Sequence, residues 1–362
     1  MRATAGVIST GRFFLPGPVE VHSDVAQAML HPAIGHRSAA AEALLARVQR
    51  GLGDILQSRR PVMTVTGSAS AMMEAAIRAG VEERILCVIT GHFSERFAKI
   101  AERCDKEVVR LHVPHGEALE PGLLALALDG PPVDAVSLVH VETSTGVVQP
   151  VSELLRLLRS LGDVVTIVDG VSSVGGIVVD PDRWGADFFL GTTQKALGVP
   201  TGVAFAVASE RFLRRADAVE GRGLYLDPVS LHADAVAGRF PQTPSLPVVH
   251  ALDAQLDRIA LEGLAARYAR HQAMRVQVEG WVAGHGRCRF MAPPGRRADT
   301  VSALRLRQGR SADALVRTLD GLGWQIATGK GEERDTVIRI GHMGDRTVGE
   351  LNALLSALEP LL

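Results

Sequence analysis

The chain has 362 residues, too many for one compact core, and this length predicts about two domains. Apolar residues make up 46% of the chain and charged residues 22%, so large cores can be buried. The formal net charge of −1 provides no basic surface for nucleic acid or an anionic membrane, and we expect neither as a partner.

The cysteines and the hydropathy of the chain indicate the cellular compartment of the protein. Cys87, Cys104 and Cys288 lie far apart without C-x-x-C spacing, which argues against a disulfide framework or a zinc site. We expect no metal centre. The N-terminus lacks the apolar stretch of a secretory signal, and no apolar run approaches the roughly 20 residues that span a bilayer. We therefore expect a cytoplasmic protein.

Short β-branched runs alternate with helix-like stretches from Pro61 to Ser209. The predicted strands are 62–66, 84–90, 107–113, 134–142, 164–169, 187–192 and 202–208. Helices are predicted between them, at 71–80, 92–104 and 151–161. This alternation predicts an α/β fold with a largely parallel sheet covered on both faces. Such sheets bind ligands beyond the carboxyl ends of their strands.

The pattern changes after Ser245. Residues 248–282 predict one or two long amphipathic helices. They are followed by predicted strands at 300–306 and 336–341 and by predicted helices at 311–323 and 347–362. This α+β pattern indicates a second, smaller domain. We divide the chain into 1–245, an N-terminal segment with the large ligand-binding domain, and 246–362, a connecting helix with the small domain.

The first candidate motif is VTGSASAMME at 65–74, where a strand runs through small residues into a helix. Such a turn presents backbone N–H groups and the positive helix end to an anion, with serine hydroxyls as further donors. Plain N-capping by Ser68 or Ser70 explains the same residues about equally well. The motif matches neither the P-loop nor the dinucleotide fingerprint.

Two further motifs follow strands of the same predicted sheet. In VVTIVDGVSSVGG, Asp169 ends a buried strand, where it can bind a protonated ring nitrogen, a ribose or a metal, or can simply cap a turn. In DFFLGTTQKALGVPTG, Lys195 lies between an apolar strand and a Gly/Pro-rich turn. A partly desolvated lysine loses proton affinity and becomes a nucleophile for Schiff-base chemistry.

Together these motifs match the needs of pyridoxal phosphate (PLP), which requires a phosphate site, an acid for its ring nitrogen and a lysine for its aldehyde. The segments LPGPVEV, VHVETSTGVVQP, VDGVSSVGG, GTTQKALGVPTG and VIRIGHMGD resemble class V aminotransferases of PLP fold type I. The alanine–glyoxylate and serine–pyruvate/glyoxylate branch is the most similar. The resemblance runs from about Phe14 to the C-terminus.

The resemblance implies a seven-stranded-type, mostly parallel sheet in the large domain, and a homodimer with shared active sites. It also implies the site residues. Lys195 holds the cofactor and moves the proton, Asp169 pairs with the ring nitrogen, and Arg339 binds the substrate carboxylate. The implied cofactor-binding residues are Ser68, Ala69, Ser70 and Gln194 at the phosphate, Phe93 and Val171 on the ring faces, Thr143 or Ser144 near the ring hydroxyl, and Phe240 and Thr243 from the neighbouring subunit.

The chain departs from several relatives at the cofactor. They have tryptophan where this chain has Phe93, glycine at Ala69, histidine at Ser70 and tyrosine at Phe240. The last change removes one hydrogen bond to the phosphate. Phe93 still offers a π face and Thr243 still carries a donor, so these changes bear on affinity more than on chemistry.

Arginines decide the expected substrate. Arg339 lies in the apolar strand TVIRIG, where an unpaired guanidinium is costly, so either a substrate carboxylate or a structural salt bridge is expected. Arg37 is the candidate for a second acidic group, although capping of a helix is the simpler role. The resemblance, together with the lack of a strong second arginine, implies a ping-pong aminotransferase that moves an amino group from an alanine- or serine-type donor to glyoxylate or pyruvate.

Three alternatives stay open at this point. A PLP enzyme of the β-lyase type could use the same scaffold, although no cysteine lies in a plausible mobile loop, as a cysteine desulfurase would need. A non-catalytic subunit of this fold would not need Lys195, Asp169 and Arg339 together. A nucleotide-binding oxidoreductase would need the glycine fingerprint that the chain lacks.

Overall fold

The computed structural model describes residues 12–362. Residues 1–11, the start of the predicted N-terminal segment, lie outside the described residues. Within 12–362 the strands are β1 (Met63–Gly67), β2 (Arg84–Ile89), β3 (Glu107–His112), β4 (Ala135–Val139), β5 (Val141–Glu142), β6 (Val147–Val148), β7 (Val165–Asp169), β8 (Phe188–Thr192), β9 (Gly202–Ala208), β10 (Cys288–Phe290), β11 (Val301–Leu306), β12 (Ala327–Thr328) and β13 (Val337–Gly341).

Helices surround these strands, and many join one strand to the next. They are α1 (Ser23–Ala28), α2 (Ala39–Leu56), α3 (Ala69–Gly80), α4 (His92–Arg103), α5 (Pro121–Leu128), α6 (Val151–Leu161), α7 (Pro181–Trp184), α8 (Glu210–Ala218), α9 (Pro228–Val236), α10 (Leu246–Glu262), α11 (Leu264–His285), α12 (Ala312–Gly321) and α13 (Val348–Leu358), with 3₁₀ turns at Gly331–Glu333 and Glu359–Leu361. No helix among residues 12–362 is long and apolar enough to cross a membrane.

Seven strands form the large sheet in the order β1-β9-β8-β7-β4-β2-β3. Strands β3, β2, β4, β7 and β8 pair in parallel, whereas β9 is antiparallel to both of its neighbours. The α/β prediction of a mostly parallel sheet is therefore confirmed. Because β9 is antiparallel to both β1 and β8, these two strands run in the same direction. The carboxyl ends of β1, β2, β4, β7 and β8 therefore share one edge of the sheet.

Both faces of the large sheet are buried, as its continuous apolar strands require. In β8, Phe189 packs into the core beneath α2, α6 and α10, while Phe188 and Leu190 pack into the opposite core with α3, α4 and α8. Side chains alternate between faces along a strand, so these adjacent residues serve different cores. The helices of both faces hold the strand ends, and hence the site, in fixed positions.

The small sheet is antiparallel in the order β10-β11-β13-β12 and packs on α11, α12 and α13 through its own core. The α+β arrangement predicted after Ser245 is thus present. Helix α10, which begins at Leu246, packs its buried face against α2 beneath the large sheet. The division of the chain between residues 245 and 246 stays a prediction.

One predicted strand differs from the structure. Residues 134–142 were expected to form a single strand, but β4 ends at Val139 and β5 begins a separate hairpin with β6. At the break, the His140 N–H donates to Asp169 O and the Gln149 N–H donates to His140 O. The chain therefore leaves the large sheet at His140, and this turn carries Glu142 and Thr143 to the site.

Candidate active site

A pocket opens at the shared carboxyl edge of the large sheet. Each of the strands β1, β4, β7 and β8 ends at this edge and delivers residues to the pocket, and the first turns of α3 and α4 complete it. The lining residues are Ser68, Ala69, Ser70, Met73, Phe93, Arg96, Val139, Val141, Thr143, Asp169, Val171, Ser172, Gln194 and Lys195. The pocket brings together most residues that the sequence singled out.

Lys195 follows β8 and is buried, with its Nζ donating to the backbone oxygen of Pro16. Backbone bonds fix this segment, since the Val19 N–H donates to Gln194 O at 3.1 Å. Gly17, at φ +102°, lies against the lysine, and a Cβ there would stand 2.4–2.7 Å from the end of the Lys195 side chain. Only glycine leaves room for the lysine at this approach.

The surroundings of Lys195 lower its affinity for a proton. Burial, assisted by the positive charge of Arg339, lowers the pKa of Lys195 to about 8, although Asp169 opposes the shift. Its Nζ lies 5.6 Å from the centre of the Phe93 ring. A neutral amine is a nucleophile, so this lysine can form a covalent bond to an aldehyde near neutral pH.

Asp169 is the last residue of β7 and is 4% exposed. Burial raises the pKa of Asp169 to about 7, although the Val171 N–H, which donates to its Oδ1 at 2.7 Å, acts in the opposite direction. A buried carboxylate that lacks a strong cationic partner gains most from a nearby positive charge. A protonated ring nitrogen would provide that charge.

The serine hydroxyls at the start of α3 do not cap the helix. Ser68 is the N-cap residue of α3, yet its side chain makes no capping hydrogen bond. The Ser70 hydroxyl instead accepts a hydrogen bond from Arg96 Nη1 at 3.4 Å. Capping therefore does not explain these serines, and the helix N-terminus with Ser68 and Ser70 is suited to hold an anion.

A buried acid positions Phe93. Glu142 accepts hydrogen bonds through Oε2 from the N–H groups of Phe93 and Ser94, at 3.1 and 3.0 Å, and thereby caps α4. Gly91 permits this approach, because a Cβ there would lie 2.6 Å from Glu142 Cγ. The first turn of α4 is thus anchored to the β5 hairpin, which fixes the Phe93 ring beside Lys195. Val171 also lines the pocket.

The structure separates the two candidates for the ring hydroxyl. Thr143 lines the pocket. Ser144 does not line it, because its hydroxyl donates to Glu142 Oε1 at 2.6 Å and accepts from the His92 N–H at 3.1 Å. Gln194 lines the pocket, and its Oε1 accepts from the Thr192 hydroxyl at 2.6 Å, which leaves its amide N–H groups for other partners.

Arg339 projects from β13 of the small sheet and is 5% exposed. Its Nε donates to Thr328 O at 2.8 Å and its Nη1 to Thr143 O at 3.3 Å. Among the described residues, its hydrogen bonds reach backbone carbonyls and no carboxylate. Burial lowers the pKa of Arg339 to about 10, against the opposing charge of Glu142. A structural salt bridge, the alternative role, is therefore not what holds it.

The residues expected to act across a dimer lie apart from the pocket. Phe240 is buried in its own subunit's core, beneath the large sheet. Thr243 is exposed on the following loop, which is tied to the end of β1 because the Ser245 N–H donates to Thr66 Oγ1 at 3.0 Å. Arg37 is also exposed, and the capping residue of α2 is its neighbour Ser38.

Sequence reasoning missed two polar residues of the site. Arg96 stands one helical turn after Phe93, a spacing that places both on one side of α4. Glu142 lies inside the quoted VETSTG segment, but nothing in the pattern distinguished its buried role from a surface acid. Among the described residues, no group of three or more His, Cys, Asp or Glu side chains could hold a metal ion.

The residues present fit PLP. Lys195 offers a buried amine with a pKa near 8, Asp169 a buried carboxylate that gains from a cation, and the α3 turn an anion site with two hydroxyls that do not cap the helix. When bound, PLP supplies an electron sink conjugated to the substrate carbon. The three groups lie around one pocket, as such a cofactor requires.

Comparisons with known proteins agree with this chemistry. A family model described as aminotransferase class-V matches residues 21–333. An uncharacterized aminotransferase of Methanocaldococcus jannaschii is 31% identical over 354 residues, 95% of this chain and 91% of that protein. The L-aspartate–glyoxylate aminotransferase of Paracoccus denitrificans is 27% identical over 349 residues, 94% of this chain and 88% of that protein.

A solved structure matches the whole architecture. The crystal structure of alanine–glyoxylate aminotransferase from Nostoc sp. has a TM-score of 0.92 and 29% identity, and the match covers 98% of this chain and 96% of that one. This similarity confirms PLP fold type I and PLP as the cofactor. The chain thus belongs to the class-V aminotransferases, and it is a PLP-dependent transaminase.

Proposed function

We propose that the enzyme transfers an amino group from a small neutral amino acid, of the alanine or serine type, to a small 2-oxo acid such as glyoxylate or pyruvate. The two half-reactions alternate on one site in a ping-pong sequence. The observation that carries the proposal is Arg339, a buried guanidinium whose charge lowers the pKa of Lys195 and that has no carboxylate partner among the described residues.

Arg339 is suited to bind the substrate's α-carboxylate. A guanidinium fork matches a carboxylate with two parallel hydrogen bonds, and burial strengthens them. Arg339 Nη1 contacts the backbone of Thr143, which itself lines the pocket. A carboxylate held there would place the α-carbon near Lys195, and it would also restore the charge balance that burial of Arg339 now lacks.

Two side chains would then handle protons. Lys195 Nζ would be the base that removes the substrate's α-proton and later delivers a proton to the reacting carbon framework. Asp169 would hold the protonated ring nitrogen of PLP, because a positive charge at that place stabilises its buried carboxylate. Phe93 and Val171 would enclose the ring and limit access of water to it.

Relatives support small substrates without fixing the donor. The Nostoc protein is named for alanine and glyoxylate, whereas the Paracoccus protein is named for aspartate and glyoxylate. A dicarboxylic donor needs a second cation for its distal carboxylate. Arg37, the candidate from the sequence, is exposed and is not among the pocket-lining residues of its own chain. We therefore favour alanine or serine over aspartate or glutamate.

We also propose that the enzyme is a homodimer whose subunits share their active sites, and that it is located in the cytoplasm. Thr243 is exposed, and Leu224 and Tyr225 expose large side chains on a nearby loop, 89% and 45% respectively. Exposed apolar side chains of this size favour an interface with a second copy. The free cysteines, of which Cys87 and Cys288 are buried, support a reducing compartment.

A donor panel tests the proposed substrates. The PLP-loaded enzyme is mixed in single turnovers with alanine, serine, aspartate and glutamate, and loss of the visible absorption of the bound cofactor is followed. Alanine or serine should bleach that absorption fastest, and glyoxylate or pyruvate should restore it. If aspartate or glutamate is the best donor, the small-substrate proposal is wrong and Arg37 of a neighbouring subunit becomes the first residue to test.

A further inference from the structure

Arg96 is the exposed cation of the pocket that the proposed reaction does not use. It lies on α4 one turn after Phe93, and its Cζ stands 5.3 Å from the centre of the Phe93 ring. Its Nη1 donates to the Ser70 hydroxyl at 3.4 Å. The guanidinium is therefore located at the α3 turn, the proposed anion site of the pocket.

No acid in the described part of the chain pairs with Arg96. Its sequence neighbour Glu95 instead contacts Arg110 at 3.3 Å. Glu142, one of the two buried acids of this region, accepts hydrogen bonds from the N–H groups of α4 and from Ser144, and the other, Asp169, accepts one from the Val171 N–H. The charge of Arg96 also contributes, after burial and Arg339, to lowering the pKa of Lys330. Arg96 is thus a cation at the pocket without an ion-pair partner among residues 12–362.

The α3 turn is otherwise poor in charged donors. Ser68 and Ser70 provide neutral hydroxyls, and Ala69 provides only backbone. A phosphate dianion at neutral pH is stabilised most by charged donors, and a guanidinium can offer two hydrogen bonds to it. Arg96 Nη1 already lies 3.4 Å from the Ser70 hydroxyl, so an anion held by that hydroxyl would adjoin the guanidinium.

We propose that Arg96 binds the phosphate group of the cofactor and supplies the charged donor that the α3 turn lacks. This inference rests on the proposed location of the phosphate at Ser68–Ser70. It assigns to Arg96 a binding role, with no part in proton transfer. Because Arg96 is exposed, its contribution is screened by water and salt and lies at the lower end of the range for charged hydrogen bonds.

The test compares PLP with pyridoxal, which has the same ring and aldehyde but no phosphate. Cofactor-free wild type, Arg96→Gln and Arg96→Lys are titrated with each compound, and dissociation constants are read from the absorption of the bound form. Arg96→Gln should bind PLP about tenfold more weakly, the effect of one charged hydrogen bond, and bind pyridoxal as wild type does. Arg96→Lys should fall between them, and added salt should reduce the difference.

Two further variants separate the possible results. Lys99→Gln removes an exposed charge from the same helix and should leave both affinities unchanged. Ser68→Ala should weaken PLP and spare pyridoxal, since Ser68 belongs to the phosphate turn. If Ser68→Ala behaves so while Arg96→Gln binds PLP normally, the Arg96 inference is overturned and the phosphate location stands. If neither variant distinguishes PLP from pyridoxal, the phosphate location itself is wrong.

The substrate offers the other source of an anion. If Arg96→Gln keeps wild-type PLP affinity but raises KM for aspartate and glutamate selectively, the guanidinium binds a distal carboxylate, and the phosphate role is refuted. The proposed role predicts the reverse pattern, with the change confined to PLP affinity and KM ratios among donors unaltered.

Discussion

Replacement of Asp169 by asparagine should raise the stability of the cofactor-free protein and reduce the stabilisation that PLP adds. In the cofactor-free protein, burial raises the pKa of Asp169 from its ordinary 3.8 to about 7. Between these values the folded state keeps a proton that the unfolded state releases. The free energy of unfolding therefore falls as pH rises through this window, and the loss is complete above pH 7.

The magnitude follows from the shift. A difference of 7 − 3.8 = 3.2 pKa units corresponds to about 4 kcal/mol at pH 8 and to about 2 kcal/mol at pH 5, as order-of-magnitude values. Asparagine at position 169 is neutral at every pH and avoids this cost. Cofactor-free Asp169→Asn should thus be more stable than wild type, by a margin that grows from pH 5 to pH 8.

With PLP bound, the protonated ring nitrogen stabilises the ionised carboxylate, so PLP should stabilise wild type more than the variant. The assay is denaturant unfolding at pH 5 and pH 8, with and without PLP, and Asp129→Asn serves as a control for loss of an exposed carboxylate. The variant should also lose on the order of a hundredfold in turnover. Equal stabilisation by PLP in both proteins, or near-wild-type turnover, would refute the role of Asp169.

Three other substitutions test neighbouring parts of the site. Arg339→Lys keeps the charge but loses the fork, so kcat/KM should fall several-fold to about a hundredfold while the cofactor spectrum stays unchanged; a silent substitution would contradict carboxylate binding. Thr243→Ala should weaken PLP binding by roughly 1–2 kcal/mol through the neighbouring subunit, and a fully active monomer in light scattering would rule out shared sites. Gly17→Ala should lower PLP affinity because its methyl group displaces Lys195, whereas Gly221→Ala, at φ +76° with open space around it, should not; equal effects would show backbone strain alone.

The sequence predicted the parts of the fold that depend on local pattern. The apolar runs that end at Asp169 and before Lys195 are β7 and β8, and because both are parallel strands their ends meet at one edge. The same logic placed the α3 turn correctly beside them. Strand periodicity, however, carries no information on direction. The antiparallel β9 and the break at His140 depend on long-range pairing that no local window contains.

Burial and hydrogen-bond partners explain why the sequence left some site residues undecided or unnoticed. Ser144 was a reasonable candidate beside Thr143, but its hydroxyl is bound to Glu142, a contact that depends on where α4 begins. In the sequence, nothing distinguishes Glu142 and Arg96 from ordinary surface charges. The contact between α4 and the β5 hairpin makes Glu142 a buried cap. Arg96 lies at the pocket, where no acid within residues 12–362 pairs with it.

Identification of the lysine that binds PLP tests the central claim most directly. The PLP-loaded enzyme is reduced with borohydride, which fixes the bond between the cofactor and its lysine, and the labelled peptide is then mapped. The label should fall on Lys195, and Lys195→Ala should remain folded, retain no label and show no turnover. A label on any other lysine, or a labelled and active Lys195→Ala, would contradict the account.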